Sequence, residues 1–226
     1  MASSEDKLFR EKGFPKQQEA TANHPTPNTC HLGVMGGTFD PIHYGHLILA
    51  EQARERFGLD KVLFITASDP PHKTGNDIAP ALARHQMACL AVKDNAYFEC
   101  STIEIERGGT SYTIDTLLQL KQLYGDVDIR LLLGADEAAM LMSWRDPYGI
   151  QELAKIVVAN RPGQEVQDTL KLLPDDFARN IEPLKMPGVD ISSTDLRERV
   201  RSGKSIRYLV PESVENYIMN NGLYRG

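Results

Sequence analysis

The chain has 226 residues, of which 41% are apolar and 25% charged, and its formal net charge is −6. That length supports one sizeable core, and the acidic balance excludes broad non-specific nucleic-acid binding, which needs a basic surface, while still allowing small anionic ligands held by a few local donors. No apolar run nears the roughly 20 residues of a membrane span, no signal-peptide core is visible, and three cysteines without a CxxC pair (Cys30, Cys89 and Cys100) fit a reducing compartment, so the expectation is cytoplasmic.

Residues 1–31 are polar and proline-punctuated without a sustained period, which predicts a mobile extension ahead of one domain over 32–226. "LGVMG" (32–36) has the pattern of a short buried strand. "GHLILAEQARERFG" (45–58) predicts a helix with Leu49, Ala53 and Phe57 on one face and Gly58 as its C-terminal cap. "KVLFITA" (61–67) is a second strand, "APALARHQMACLAVKD" (79–94) a helix, and "YFECSTIEIER" (97–107) alternates like a strand. "SYTIDTLLQLKQLYG" (111–125) predicts an amphipathic helix with Ser111 or Thr113 as N-cap and Gly125 as stop. "DIRLLLGAD" (128–136) and "KIVVANR" (155–161) are apolar strands, and "IEPLKMP" (181–187) is a weaker one broken by prolines. Two helices close the chain, near 193–202 and 211–221.

Alternating strands and helices, with strands apolar throughout, predict an α/β protein: a Rossmann-like doubly wound parallel sheet with helices on both faces. Ligands of such sheets sit outside the carboxyl ends of the strands, at the topological switch point. Functional residues should therefore follow strands.

"GGTFDPIHYGH" (36–46) directly follows the first strand. Gly36 and Gly37 allow close backbone approach, and the helix beginning near His43 aims free N–H groups at the same place, an arrangement suited to phosphate. Glycines at 33, 36 and 37 have the wrong spacing for G-x-G-x-x-G, and "SGKS" (202–205) lacks the P-loop glycine at position 198. His43 and His46 share one side of a helical turn. By themselves they fit metal ligands, phosphate-handling cations or helix-entry residues. No carboxylate or thiol at helical spacing completes a metal set, and the glycine-rich loop favours phosphate.

A second phosphate site is expected at "ISSTDLRERVRSG" (191–203), where Ser192 or Ser193 caps a helix. Ser193, Thr194 and the first-turn amides can donate to one phosphate, with Arg197 a turn further on the same face. Arg199, Arg201 and Lys204 fit a plain basic face, and Arg84 and His85 fit surface or packing roles. Asp136 suits a ribose hydroxyl or an N-cap, Arg161 a place near an adenine, and Lys73 taken alone is a solvated loop lysine. Tyr112 and Thr113 fit capping or the binding of a carboxylate at a helix start. Trp144, the single tryptophan, taken alone fits the core.

"GGTFDPIHYGH" resembles the [GS]-x-[FY]-x-P-x-H-x-G-H signature of the nucleotidylyltransferase superfamily. "DPPHK" (69–73), "SYTIDTL" (111–117), "LLLGAD" (131–136) with Trp144 after it, and "ISSTDLR" (191–197) resemble its bacterial nicotinate mononucleotide adenylyltransferase branch. The match runs from about Leu32 to the C-terminal helix, leaving out the N-terminal extension. The resemblance implies adenylyl transfer from ATP to nicotinate mononucleotide, giving deamido-NAD and pyrophosphate in NAD biosynthesis. It implies His43, His46 and Arg197 as catalytic residues. It implies Gly36, Gly37, Thr38, Phe39, Gly134, Asp136, Ser193 and Thr194 around ATP, and Lys73, Tyr112, Thr113 and Trp144 around the mononucleotide. Mg²⁺ would arrive with ATP, without a protein-built metal cage; a homo-oligomer is allowed, and neither nucleic acid nor membrane is an expected partner. Two rivals stand beside this reading: another acceptor, such as the amidated mononucleotide or phosphopantetheine, and a non-catalytic nucleotide-binding or metal-sensing module.

Overall fold

The computed structural model describes residues 30–69, 78–160, 163 and 165–225. The expected extension falls outside these residues except for Cys30 and His31, which open the first strand. The candidates Lys73 and Arg161 also lie outside them.

In chain order the elements are β1 (Cys30–Gly37), α1 (Tyr44–Phe57), β2 (Lys61–Thr66), α2 (Ala81–Val92), β3 (Phe98–Ser101), α3 (Ile103–Arg107), α4 (Thr113–Tyr124), β4 (Val127–Gly134) and α5 (Ala135–Ala138). A 3-10 turn at Leu141–Ser143 leads to α6 (Pro147–Leu153), β5 (Lys155–Ala159), α7 (Val166–Leu170), α8 (Asp175–Ala178), β6 (Ile181–Leu184), α9 (Ser193–Arg201) and α10 (Glu212–Asn220). Among the described residues the strands form one parallel sheet in the order β3-β2-β1-β4-β5-β6. The chain leaves β1 toward β2 on one side and later fills β4 on the other, so the switch point lies between β1 and β4. This is the doubly wound architecture that the alternating pattern predicts.

The two faces of the sheet bury separate apolar clusters, and the pleat sorts residues between them. Met35, Val62, Phe64, Leu132 and Val157 pack with the α1, α2, α9 and α10 side. Val34, Leu63, Ile65, Leu131, Leu133 and Val158 pack with the α4 and α6 side. Strands buried on both faces need apolar residues at both parities, which is why they carry no polar alternation.

Several elements depart from the expectation. Residues 97–107 form a strand only over Phe98–Ser101 and then turn into α3. Among the described residues β3 pairs with β2 alone, and since β2 ends at Thr66, one beyond the Ile65–Ser101 pair, the ladder could lengthen by one pair at most. β4 stops at Gly134, which places Asp136 in α5 rather than in a strand. The N-cap of α4 is Tyr112 without a side-chain cap bond, because the Ser111 hydroxyl accepts from the Ser68 N–H instead. α5 through α8, apart from β5 between them, are too short for periodicity to have revealed. Gly58 does close α1 in the left-handed region, at φ 61, and the Ser192 hydroxyl caps α9 by accepting from the Asp195 N–H.

Candidate active site

Two clefts open at the carboxyl edge of the sheet, one on each face. The first is lined by Met35, Leu132 and Ala159 from the sheet, by His43, His46 and Leu49 of the α1 side, and by Ser192–Thr194 of α9. The second is lined by Val34, Ile65, Leu131 and Leu133, by Tyr112–Thr113 and Thr116–Leu117 of α4, and by Trp144 and Arg145. Both touch Gly36, Gly37, Thr38, Glu137 and Trp144. Two ligands on opposite faces of the sheet would therefore meet over the end of β1. A Cβ added at Gly36 would meet nothing within 4 Å, so only the absence of a side chain keeps that meeting point clear.

The loop from Thr38 to His43 joins β1 to α1 and is held from several directions. Arg84, 2% exposed, donates to the carbonyls of Ala79 (2.9 Å), Thr38 (2.7 Å) and Ser68 (3.1 Å). One planar fork thus ties the loops after β1 and β2 to the start of α2. Burial lowers the pKa of this guanidinium, and the charge of nearby Asp40 opposes the shift. Of the surface and packing roles expected for Arg84, the structure gives it packing: its polar end is buried and organises the strand ends. Phe39 holds a left-handed backbone, φ 49, with its ring buried at 5.2 Å from the His46 ring and 6.0 Å from the Phe64 ring.

His43 sits at the N-cap of α1 and His46 on its first turn, with ring centroids 3.8 Å apart. The His43 backbone N–H donates to His46 Nδ1 at 3.2 Å. A neutral imidazole whose Nδ1 accepts carries its proton on Nε2, and the His46 ring lines the first cleft. A Cβ at Gly45 would come within 3.0 Å of the His43 ring, closer than ordinary packing allows. Gly45 is therefore what lets His43 fold back beside its neighbour.

The α9 residues sit across the same loop. The Ser193 hydroxyl donates to the Pro41 carbonyl at 2.9 Å, which docks the helix start onto the loop. Arg197 Nη1 donates to the Asp40 carbonyl at 2.8 Å and lies 3.6 Å from its carboxylate. Ser193 and Thr194 line the first cleft. Arg197 is turned behind the loop and lines neither cleft. Gly134 and Asp136 line the first cleft at the end of β4, Thr38 lines both, and Phe39 lines the first. The structure thus gathers the residues expected around one nucleotide, with Arg197 displaced one layer outward.

On the other face, Tyr112, Thr113 and Trp144 share the second cleft, as expected of residues around one acceptor. Three further residues, two in this cleft and one in the first, had no signal in the sequence pattern. Arg145 lies with its guanidinium carbon 4.9 Å from the Tyr112 ring centre, and its Nη1 donates to the Asp115 carboxylate at 3.3 Å. Glu104, buried in the cleft wall, accepts from the Thr116 hydroxyl at 2.6 Å. On the first face, Asn160 lines the cleft and accepts from the Met186 N–H at 2.7 Å. Among the described residues no group of three or more His, Cys, Asp or Glu side chains is placed to hold a metal ion.

A family model described as cytidylyltransferase-like matches residues 34–199. A Desulfitobacterium hafniense (strain Y51) protein named "Probable nicotinate-nucleotide adenylyltransferase" is 46% identical over 197 residues, 86% of this chain and 95% of that protein. A Roseiflexus sp. (strain RS-1) protein of the same name is 49% identical over 201 residues, 88% of this chain and 100% of that protein. The solved structure titled "Plasmodium falciparum nicotinic acid mononucleotide adenylyltransferase complexed with NaAD" superposes with a TM-score of 0.71 at 18% identity, over 86% of this chain and 97% of that one. The same Plasmodium falciparum protein "complexed with APC" gives a TM-score of 0.68 at 18% identity, again over 86% and 97% of the two chains. At that identity the superpositions speak for the fold.

Proposed function

The chain belongs to the cytidylyltransferase-like family, among its nicotinate-nucleotide adenylyltransferases, and on that premise we propose how its two clefts divide the reaction. The reaction is adenylyl transfer from ATP to nicotinate mononucleotide, with deamido-NAD and pyrophosphate as products. The observation that carries the division is that clefts on opposite sheet faces share Gly36, Gly37, Thr38 and Trp144.

ATP occupies the α1/α9 face. Its α- and β-phosphates lie against the glycine turn, His43 and His46, its β,γ-phosphates face Ser193, Thr194 and the first-turn amides of α9, and a ribose hydroxyl reaches Asp136. Arg197 adds positive charge from behind the loop. Nicotinate mononucleotide occupies the α4 face, its ring against Trp144 and its carboxylate toward the start of α4 at Tyr112 and Thr113. An oxygen of its 5′-phosphate forms the new bond to the α-phosphorus above Gly36–Thr38. The bond from that phosphorus to the bridging oxygen breaks, and the electron pair leaves with pyrophosphate. The attacking phosphate is already ionised near neutral pH, so no side chain has to remove a proton. Catalysis then rests on alignment and on donors aimed at the developing charge, above all His46 Nε2–H.

A divalent cation, Mg²⁺ in our reading, would come with the triphosphate and would supply charge neutralisation there. The His, Thr and backbone donors of the site suit phosphate oxygens rather than a metal ion held by the protein. We place the enzyme in the cytoplasm, where thiols outside disulfides, such as those of Cys30, Cys89 and Cys100, persist. No helix among the described residues is long and apolar enough to cross a membrane. The test is pyrophosphate release from ATP and Mg²⁺ with each candidate acceptor. Turnover should be greatest with nicotinate mononucleotide; a strong preference for the amide or for phosphopantetheine would overturn the acceptor assignment.

A further inference from the structure

Asp40 lies on the loop between the switch-point glycines and His43 and is 1% exposed. Its polar atoms are met by three distant parts of the chain. Oδ1 accepts from the Ala79 N–H at 3.2 Å and from the Tyr224 hydroxyl at 2.6 Å. Oδ2 lies 3.6 Å from Arg197 Nη1, which also donates to the Asp40 carbonyl at 2.8 Å. Tyr224 stands 184 residues further along the chain, beyond α10, with a left-handed backbone at φ 64. Burial, and then the Asp40 charge, push the Tyr224 hydroxyl well above the usual phenol range, so it stays a proton donor at any working pH.

We propose that Tyr224 is a positioning residue for adenylyl transfer: its hydroxyl fixes the Asp40 carboxylate and, through it, the loop that delivers His43 and His46. The inference rests on the reading that this loop serves adenylyl transfer. A buried charge with partners is an expensive way to gain stability, since an apolar pair of similar volume often does as well or better. What the polar pair secures is placement. The Tyr224 bond is the shorter of the two to Oδ1, and without it the carboxylate is free to turn toward Arg197. Asp40 is followed by Pro41, whose carbonyl receives Ser193, and then by His43, whose N–H sets the tautomer of His46. A small shift at Asp40 is passed along this short path, and misplacement of even an ångström at reacting groups is costly.

The test compares the full-length wild type with Tyr224→Phe, Asp40→Asn and the double variant. Tyr224→Phe should lower kcat about tenfold while the KM values for ATP and nicotinate mononucleotide stay within about twofold, a split that general loosening of the fold does not produce. Hydrogen exchange of the free enzyme should accelerate at residues 38–46 and remain unchanged in β4 and β5. Because Tyr224 acts through Asp40, the double variant should be no slower than Asp40→Asn alone. A kcat within twofold of wild type in Tyr224→Phe, additive losses in the double variant, or unchanged exchange at 38–46 would each overturn the proposal. If Asp40→Asn does not fold, Tyr224→Phe alone decides through kcat and exchange. A wild type that releases no pyrophosphate with nicotinate mononucleotide would sink the functional reading instead, and the exchange comparison, which needs no substrate, would still judge the latch.

Discussion

The backbone N–H of His43 points at Nδ1 of His46, 3.2 Å away, so the two histidines are not equivalent donors. One supplies the hydrogen bond that sets the tautomer of the other. His46→Ala removes the Nε2 donor and should lower kcat by about 10²–10³-fold, with the KM for ATP changed much less, in steady-state pyrophosphate assays. Near-normal turnover would remove His46 from the transition state.

Arg84 satisfies three backbone carbonyls from a buried position. Arg84→Met leaves those carbonyls and the nearby Asp40 charge without it, and should cost about 3–5 kcal/mol in urea unfolding. Arg84→Lys should recover only part, because an ammonium lacks the planar fork that spans Ala79, Thr38 and Ser68. A loss below about 1 kcal/mol in the Met variant would contradict the role assigned here.

Substitutions on the two sheet faces should separate the two substrates. Arg145→Ala removes a mostly exposed cation, 59% accessible, from the acceptor cleft and should raise the KM for nicotinate mononucleotide about two- to fivefold, less at high salt. Asn160→Ala frees the Met186 N–H beside the other cleft and should raise the KM for ATP about fivefold. The reverse pattern in bisubstrate kinetics would mean that the clefts have been assigned the wrong way round.

At the amino edge of the sheet, Asp128 meets Arg130 (3.0 Å), His31 (3.2 Å) and Lys155 (3.3 Å). Partial burial pushes its pKa up, but the hydrogen bond and charge of Lys155, with Arg130 and His31, outweigh that and leave it lowered. A carboxylate lowered on folding contributes stability above its unfolded value, about pH 4, and loses it as pH falls through the folded value. Asp128→Asn should therefore cost about 0.5–1 kcal/mol near neutral pH and progressively less as the pH falls below about 4. A cost that persists in acid would show that packing, not charge, is what the substitution removes.

The sheet was legible because both-face burial writes itself locally, as apolar runs such as "RLLLG" and "KIVVA" ended by glycine or by a turn. The short helices after β4 and β6's neighbours were not, since a single turn offers no period to detect. The false strand over 103–107 came from the alternation Ile-Glu-Ile-Glu, which does not say whether a neighbouring strand is there to pair with. In the site, Ser193 and Arg197 were legible as phosphate-type donors on a helix start, yet both spend hydrogen bonds on the loop at Pro41 and Asp40.

The layered α/β architecture, the glycine turn at the end of β1 and the histidine pair that opens α1 are written locally in the chain. Each of these is encoded within a few residues, by hydrophobic period, by missing side chains or by helix spacing. The packed structure adds that the two clefts lie on opposite faces of the sheet and meet over Gly36–Thr38. It alone decided that Asp40 is clasped by Arg197 and Tyr224, 157 and 184 residues away. Contacts across such separations follow from how the layers pack, and no local pattern in the chain carries them.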